Sequence, residues 1–161
     1  MQKITPCFWC DGNAEELAKF YTSLFKSSKI TDISYYPSDI EAGPGKQGQV
    51  LTVGFELEGR SYIALNGGPN YKPTPAISFY VSCDSQQEID SFWNRLLADG
   101  GVANQCGWLT DKFGVSWQIV PQQMIEMIQD KDAARVGRVF AAMMKMVKLD
   151  LATLEAAYRS G

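Results

Sequence analysis

The side chains with the most obvious reactivity are four cysteines, Cys7, Cys10, Cys83 and Cys106. Cys7 and Cys10 spell C-x-x-C, a spacing used by redox dithiols and by half of a zinc site. Their setting argues for neither. Residues 4–10 read as a strand, where positions three apart face opposite sides. A redox pair needs a helix N-terminus to acidify a thiol, and Asp11-Gly12 intervenes before any helix. Zinc would need two further ligands, and Cys83 and Cys106 lack paired spacing, so buried inert thiols are expected. Gly43-Pro44-Gly45-Lys46-Gln47-Gly48 matches the dinucleotide pattern G-x-G-x-x-G. That chemistry needs a following helix to receive a pyrophosphate. Here Val50-Leu51-Thr52-Val53 follows, a strand pattern, and Pro44 removes one N–H donor. The segment reads as a flexible loop over a sheet. The chain has no histidine, which removes Ser-His-Asp and Cys-His sets and every imidazole-based metal site. Cys106 lacks a base to activate it, with Lys112 its nearest cation in sequence. Asp111 sits in a hairpin turn and reads as a turn former. No catalytic residue is assigned.

Composition bounds the partners. The 161 residues carry 15 Lys+Arg against 18 Asp+Glu, a net charge of −3, which disfavours nucleic acid, whose phosphates need a basic surface. No apolar run is long enough to cross a bilayer and no basic-then-apolar leader opens the sequence, so a cytoplasmic location with reduced thiols is expected.

The elements that must position these residues emerge from an internal repeat. Residues 13–27 have apolar positions Leu17, Phe20, Tyr21, Leu24 and Phe25, one face of a helix, with Asn13 as N-cap and Glu16 in a capping-box position. Residues 86–99 repeat the pattern with Ile89, Phe92, Trp93, Leu96 and Leu97, capped by Ser85 with Glu88 following. Every matched pair is 72 residues apart. The same offset aligns Pro6-Cys7-Phe8-Trp9 with Ser78-Phe79-Tyr80-Val81. Strand patterns follow each helix: 30–36, 50–57 and 61–66, with Glu58-Gly59 as a tight turn, then 102–105, 107–110 and 115–120, with a turn at 111–114. The expected organisation is one domain: a βαβββ module over 1–66, a linker over 67–75 holding three prolines, a second module over 76–121, and a helical extension over 122–161. In the extension, Val136, Val139, Phe140, Met143 and Val147 form one helical face. A short helix capped by Asp150 follows, with Leu151, Leu154 and Tyr158 on one side. The methionines at 124, 127, 143, 144 and 146 are expected to fill gaps in a core.

The words "TPCFWCDGNAEELAKFYTSLF", "FELEGRSYIALNGGP", "ISFYVSCDSQQEIDSFW" and "QCGWLTDKFGVSWQIVP" resemble the vicinal oxygen chelate superfamily (glyoxalase, bleomycin-resistance and dioxygenase proteins), in its PhnB-like, 3-demethylubiquinone 3-methyltransferase-like branch. The resemblance covers nearly the whole chain. It implies an α+β fold in which two tandem βαβββ modules curl a mixed sheet into a cup, followed by C-terminal helices. It implies a ligand inside the cup. Metal-dependent members of the superfamily place ligands on the first and last strand of each module, and these positions fall at Pro6, near Ala64, at Ser78 and at Gln118. A His usual after "GGP" is Asn70 here. No metal and no cofactor are therefore expected. Strand parity puts Pro6, Phe8 and Cys10, Tyr62, Ala64 and Asn66, Ser78, Tyr80 and Ser82, and Ser116, Gln118 and Val120 on the cup side. Trp9, Ile63, Phe79, Val81, Trp117 and Ile119 fall to the core side.

The candidate ligand-binding residues are Phe8, Tyr62, Asn66, Asn70, Ser78, Tyr80, Cys106, Trp108 and Gln118. The reading is a metal-free small-molecule-binding protein whose ligand is small and partly aromatic. The alternative is an enzyme of the superfamily, an isomerase or lyase. The methyltransferase label finds no adenosylmethionine motif. A homodimer is expected, because the resemblance implies modules paired across chains and the C-terminal apolar stripe needs cover.

Overall fold

The computed structural model describes residues 3–39 and 43–160. They group into two compact units, Met1–Pro73 and Thr74–Gly161, divided within the proline-containing stretch 67–75.

The first unit runs β1 (Cys7–Cys10), α1 (Ala14–Leu24), β2 (Lys29–Tyr35), β3 (Val50–Leu57) and β4 (Arg60–Asn66). Its sheet order is β1-β4-β3-β2, with β1 parallel to β4 and the other pairs antiparallel. Glu58 (φ 47°) and Gly59 (φ 79°) join β3 to β4. Two successive positive φ values make the hairpin turn whose twist matches the strands, and glycine adopts the second without strain. The apolar stripe of α1, Leu17, Ala18, Tyr21 and Leu24, is buried against Phe8, Val53, Phe55 and Ala64. The Phe8 ring meets Tyr21 edge-on at 5.5 Å and stacks on Phe55 at 6.1 Å.

The second unit repeats the theme with β5 (Ser78–Cys83), α2 (Gln86–Leu97), β6 (Val102–Ala103), β7 (Trp108–Thr110) and β8 (Ser116–Pro121). Its sheet order is β5-β8-β7-β6, again with the first pair parallel. Ser85 caps α2 by accepting from Glu88 N at 3.2 Å, and Glu88 reaches back to Asp84 N at 2.8 Å. Val81, Cys83, Leu109, Trp117 and Ile119 are buried with Ile89, Trp93 and Leu96 of α2.

Three helices complete the second unit: α3 (Gln122–Ile128), α4 (Ala133–Met143) and α5 (Leu151–Arg159). They enclose a core of Val120, Met124, Met127, Val139, Leu149 and Leu154, flanked by the half-buried Met143 and Met146. The methionines at 124, 127, 143 and 146 thus fill the gaps expected of them, while Met144 is exposed. The extension is stitched to the rest of its unit. Cys106 N donates to Met146 O (2.8 Å) and Gly107 N to Val147 O (2.7 Å). Lys148 Nζ pairs with Asp90 at 2.6 Å, and Gln86 Oε1 accepts from Leu151 N at 2.8 Å.

Three carboxylates of this region sit below the usual carboxylate range. Hydrogen bonds from Lys148 and Gln86 lower Asp90, those from Asp132 N and Tyr158 lower Asp130, and those from Thr153 lower Asp150. A folded value below the unfolded one contributes stability in full above about pH 4, lost as pH falls through the folded values. Acidification from pH 5 to pH 2 is therefore expected to weaken the extension. A pH-dependent melt should show the loss, and Asp90→Asn should shrink it.

Candidate functional site

Each sheet has one face under a helix and one face turned away from it. In the second unit the outward face carries Ser78, Tyr80 and Ser82 of β5, Trp108 and Thr110 of β7, and Ser116 and Gln118 of β8. Tyr80 stands opposite Gln118 across the parallel pair, and Trp108 opposite Gln118 across the antiparallel one. Gln118 Nε2 donates to Ser78 Oγ at 2.9 Å. Tyr80 is 48% exposed although its strand neighbours Val81 and Cys83 are buried. Partial burial and the neighbouring Cys83 push the Tyr80 hydroxyl up, so it is a proton donor at neutral pH. This face offers neutral donors and acceptors flanked by two aromatic rings.

In the first unit the expected face is inverted. Phe8, Tyr62, Ala64 and Asn66 do share one side, but it is the side under α1. Tyr62 stacks on Phe55 at 5.5 Å. The outward face holds Trp9, Ile63, Leu65 and Thr52 instead. Trp9 Nε1 donates to Gly68 O at 2.8 Å, and its ring meets Tyr71 edge-on at 4.9 Å. The cause is one residue. Three residues separate β1 from α1, but only two, Asp84 and Ser85, separate β5 from α2. Gly12 (φ 81°) takes up the extra position in a conformation other side chains rarely adopt. The helices are related by 72 residues and the strands by 73, so Cys10 corresponds to Cys83 and Phe8 to Val81, all four on helix-facing sides. A one-residue slip moves every strand side chain to the other face.

Asn66 has a structural task. Its Oδ1 accepts from Ala14 N (3.0 Å) and its Nδ2 donates to Val50 O (2.9 Å). Asn13, expected to cap α1, makes no side-chain cap bond. Its φ of −114° and ψ of 19° are not the extended backbone that lets a cap side chain turn back. The cap comes from β4 instead. Asn66 also borders a cleft of about 420 Å3 walled by Asp11, Glu15, Tyr36, Gln49 and Gly68. Asn70 is exposed in a turn after β4.

Cys106 lies in the turn before β7 at φ 59°, its Sγ 3.7 Å from Met144 Sδ. Asp111 is 3% exposed. Its Oδ1 accepts from Phe113 N (2.9 Å) and Val115 N (3.0 Å), and its Oδ2 from Trp117 Nε1 (2.8 Å). Every one of these bonds belongs to the turn and the core, as expected of a turn former. The segment 43–48 leads into β3, where Gly45 lies against the Tyr36 ring and Gly48 N donates to Tyr36 O at 3.0 Å.

The C-x-x-C thiols part as strand geometry requires, Cys7 exposed and Cys10 buried, so the expected burial holds for Cys10 and Cys83 but not for Cys7, which is exposed, or Cys106, which is half-buried. Burial pushes the Cys10 thiol up to about 12, and burial with the charges of Glu88 and Asp84 does the same for Cys83. A thiol reagent at pH 8 is expected to modify Cys7 and Cys106 in the native protein, and Cys10 and Cys83 only after unfolding. Counting modified thiols by mass spectrometry with and without denaturant checks this.

The four residues that the sequence pointed to as metal positions do not fit a divalent cation, and in the first unit the register has moved Ala64 to the helix side. Ala64 is fully buried, Pro6 offers no side-chain donor atom, and Ser78 and Gln118 are neutral groups bonded to each other. Such ions want carboxylate or imidazole. Among the described residues no three His, Cys, Asp or Glu side chains are grouped to hold one.

Two four-stranded sheets of this order, each backed by a helix and led by a parallel pair, define the glyoxalase/bleomycin-resistance class of fold. The chain belongs to the 3-demethylubiquinone-9 3-methyltransferase family, the PhnB-like branch of that class, whose profile matches residues 2–120. It is similar to a PhnB protein from Bacillus cereus, at 40% identity and TM-score 0.65 over 74% of this chain and 99% of that one. A protein from Pseudomonas aeruginosa shares the fold at 19% identity and TM-score 0.60, over 75% of this chain and 98% of its own. A glyoxalase/bleomycin resistance protein from Albidiferax ferrireducens aligns at 13% identity and TM-score 0.44, over 70% and 92%. No curated protein is a significant match.

Proposed function

We propose that the chain binds a small, partly aromatic, uncharged or weakly polar molecule on the outward face of its second sheet, without a metal. The observation that carries this reading is Tyr80, a large side chain left 48% exposed beside the Gln118–Ser78 pair and Trp108. Rings supply apolar area there, and neutral hydrogen-bonding groups orient the ligand. Methyl transfer would require a site for its donor, and the glycine-rich segment that imitates one leads into β3 rather than into a helix.

Thermal-shift screening with small neutral aromatic compounds tests the proposal, with amino-acid-like compounds as the charged comparison. A binder at a hundred times its Kd is expected to stabilise by about 2.7 kcal/mol. Tyr80→Ala and Gln118→Ala are each expected to abolish that gain while leaving the unliganded melt nearly unchanged. A hit whose effect survives both substitutions refutes this placement.

We also propose a cytoplasmic homodimer. Phe140, Met144 and Val147, exposed at 44%, 63% and 42%, form apolar surface that a second copy would cover. No helix of the described residues is long and apolar enough to cross a membrane. Light scattering on the eluting protein tests the dimer; a monomeric mass at high concentration removes it.

A further inference from the structure

Tyr80, Gln118 and Trp108 lie in one row across the second sheet, since Gln118 on β8 is the register partner of Tyr80 on β5 and of Trp108 on β7. We infer that this row is a slot for one planar nitrogen heterocycle with a lactam edge, a ring C=O beside a ring N–H, of the pyridone or pyrimidinone type. The inference rests on the sheet reading above and names the chemical class of its ligand.

The spacing selects a single ring. Two strand separations set the backbones of Tyr80 and Trp108 about 9.5 Å apart. One flat ring between them can stack on both, because offset aromatic pairs sit with centroids about 4.5–7 Å apart. Neither of these two rings packs on another aromatic ring among the described residues, whereas Phe79 and Trp117, on the opposite face, meet at 5.1 Å. The edge is selected by Gln118. Its Nε2 donates one hydrogen to Ser78 Oγ at 2.9 Å. Its second N–H and its Oε1 have no partner among the described residues, and Oε1 is reached by solvent. An amide with one donor and one acceptor to spare matches an adjacent acceptor and donor on a planar ring, as glutamine does on the edge of a base. A hydrocarbon ring would cover both amide groups and satisfy neither. The row is neutral, so an ion would lose hydration there without a counter-charge.

The test titrates the full chain with 2-pyridone, with N-methyl-2-pyridone, which keeps the ring and carbonyl but lacks the N–H, and with anisole, which lacks the edge. Calorimetry gives the affinities, and NMR follows the Gln118 side-chain NH2 and the Trp108 indole N–H. Saturable binding of 2-pyridone is expected, at least about tenfold tighter than either control. Gln118→Met, which keeps length and removes the edge, should bring 2-pyridone down to the level of N-methyl-2-pyridone. Comparing two probes within one variant cancels any change in folding. Tyr80→Leu should weaken all three probes. Equal binding of the three probes, all lost in Tyr80→Ala, overturns the lactam inference and leaves the sheet reading standing. A preference for 2-pyridone that survives both Gln118→Met and Tyr80→Ala places the ligand elsewhere and refutes both. No saturable binding of 2-pyridone also overturns the inference, and binding of anisole that Tyr80→Ala abolishes would then keep the sheet reading.

Discussion

Replacing Asp111 with alanine is expected to destabilise the second unit by about 3–4 kcal/mol, because two buried donors and a partly buried one lose their acceptor at once. The donors are Phe113 N, Val115 N and Trp117 Nε1. Trp117 is 1% exposed, so water cannot replace the carboxylate without opening the core. The same side chain holds the turn between β7 and β8, where Asp111 N donates to Val115 O and Gly114 N to Asp111 O, both at 2.9 Å. The expected fall in melting temperature is about 10 °C. Asp111→Asn separates the two tasks. Its amide oxygen can still accept from the turn, but its NH2 would face the indole N–H, donor against donor. It should therefore lose about half as much, and Trp117→Phe in the Asn background should recover part of that loss, although the same Phe change in the native background is destabilising. A denaturant series on the four proteins measures the coupling. A melt of Asp111→Ala within a degree of the native one would show that the carboxylate does not anchor the turn.

The fold was legible because its signals are local and repeated. The helical stripes at 17–25 and 89–97, the Glu58-Gly59 turn and the Asp150 cap are each written within a few residues, and the structure has α1, α2, the β3–β4 hairpin and α5 at those places. The faces of the first sheet were less legible. The helices keep an offset of 72 while Gly12 shifts the strand before α1, and an offset taken from helices cannot report a residue inserted between helix and strand. The β1 signal is four residues long, with Cys7, Phe8, Trp9 and Cys10 all apolar, so alternation cannot choose a face. Strand β5 alternates Ser78, Tyr80 and Ser82 with Phe79, Val81 and Cys83, and there parity read from sequence agrees with burial, whereas on β8 Ser116 and Val120, expected on the open side, are buried, Val120 beneath the C-terminal helices. The cap of α1 was illegible for another reason. Asn66 is distant in sequence from Ala14, and a long-range cap leaves no local pattern. The helix α3 begins directly after Pro121 with no side-chain cap bond, so the usual start signal is missing there as well.

That inversion makes Asn66 and Gln118 the sharpest pair to compare, since sequence parity places both on a ligand-facing side. Asn66→Ala is expected to cost about 2–3 kcal/mol, from a lost helix cap plus a buried N–H left without an acceptor. Ala14, which donates that N–H, is fully buried, and Val50 O loses its donor as well. Asn66→Asp keeps an acceptor at the N-terminus of α1, where negative charge is favoured, but surrenders the bond to Val50 O. It should fall between the native protein and the alanine variant. Gln118→Ala removes only a half-buried bond to Ser78 and should cost under about 1 kcal/mol. Ligand response should run the other way. Any compound that raises the melt of the native protein from the outward face of the second sheet should still raise that of Asn66→Ala by the same increment. It should fail to raise that of Gln118→Ala. Reversal of the pattern, with Asn66→Ala folded normally and blind to the ligand, would return Asn66 to the binding site and move the ligand to the cleft beside Tyr36 and Gln49.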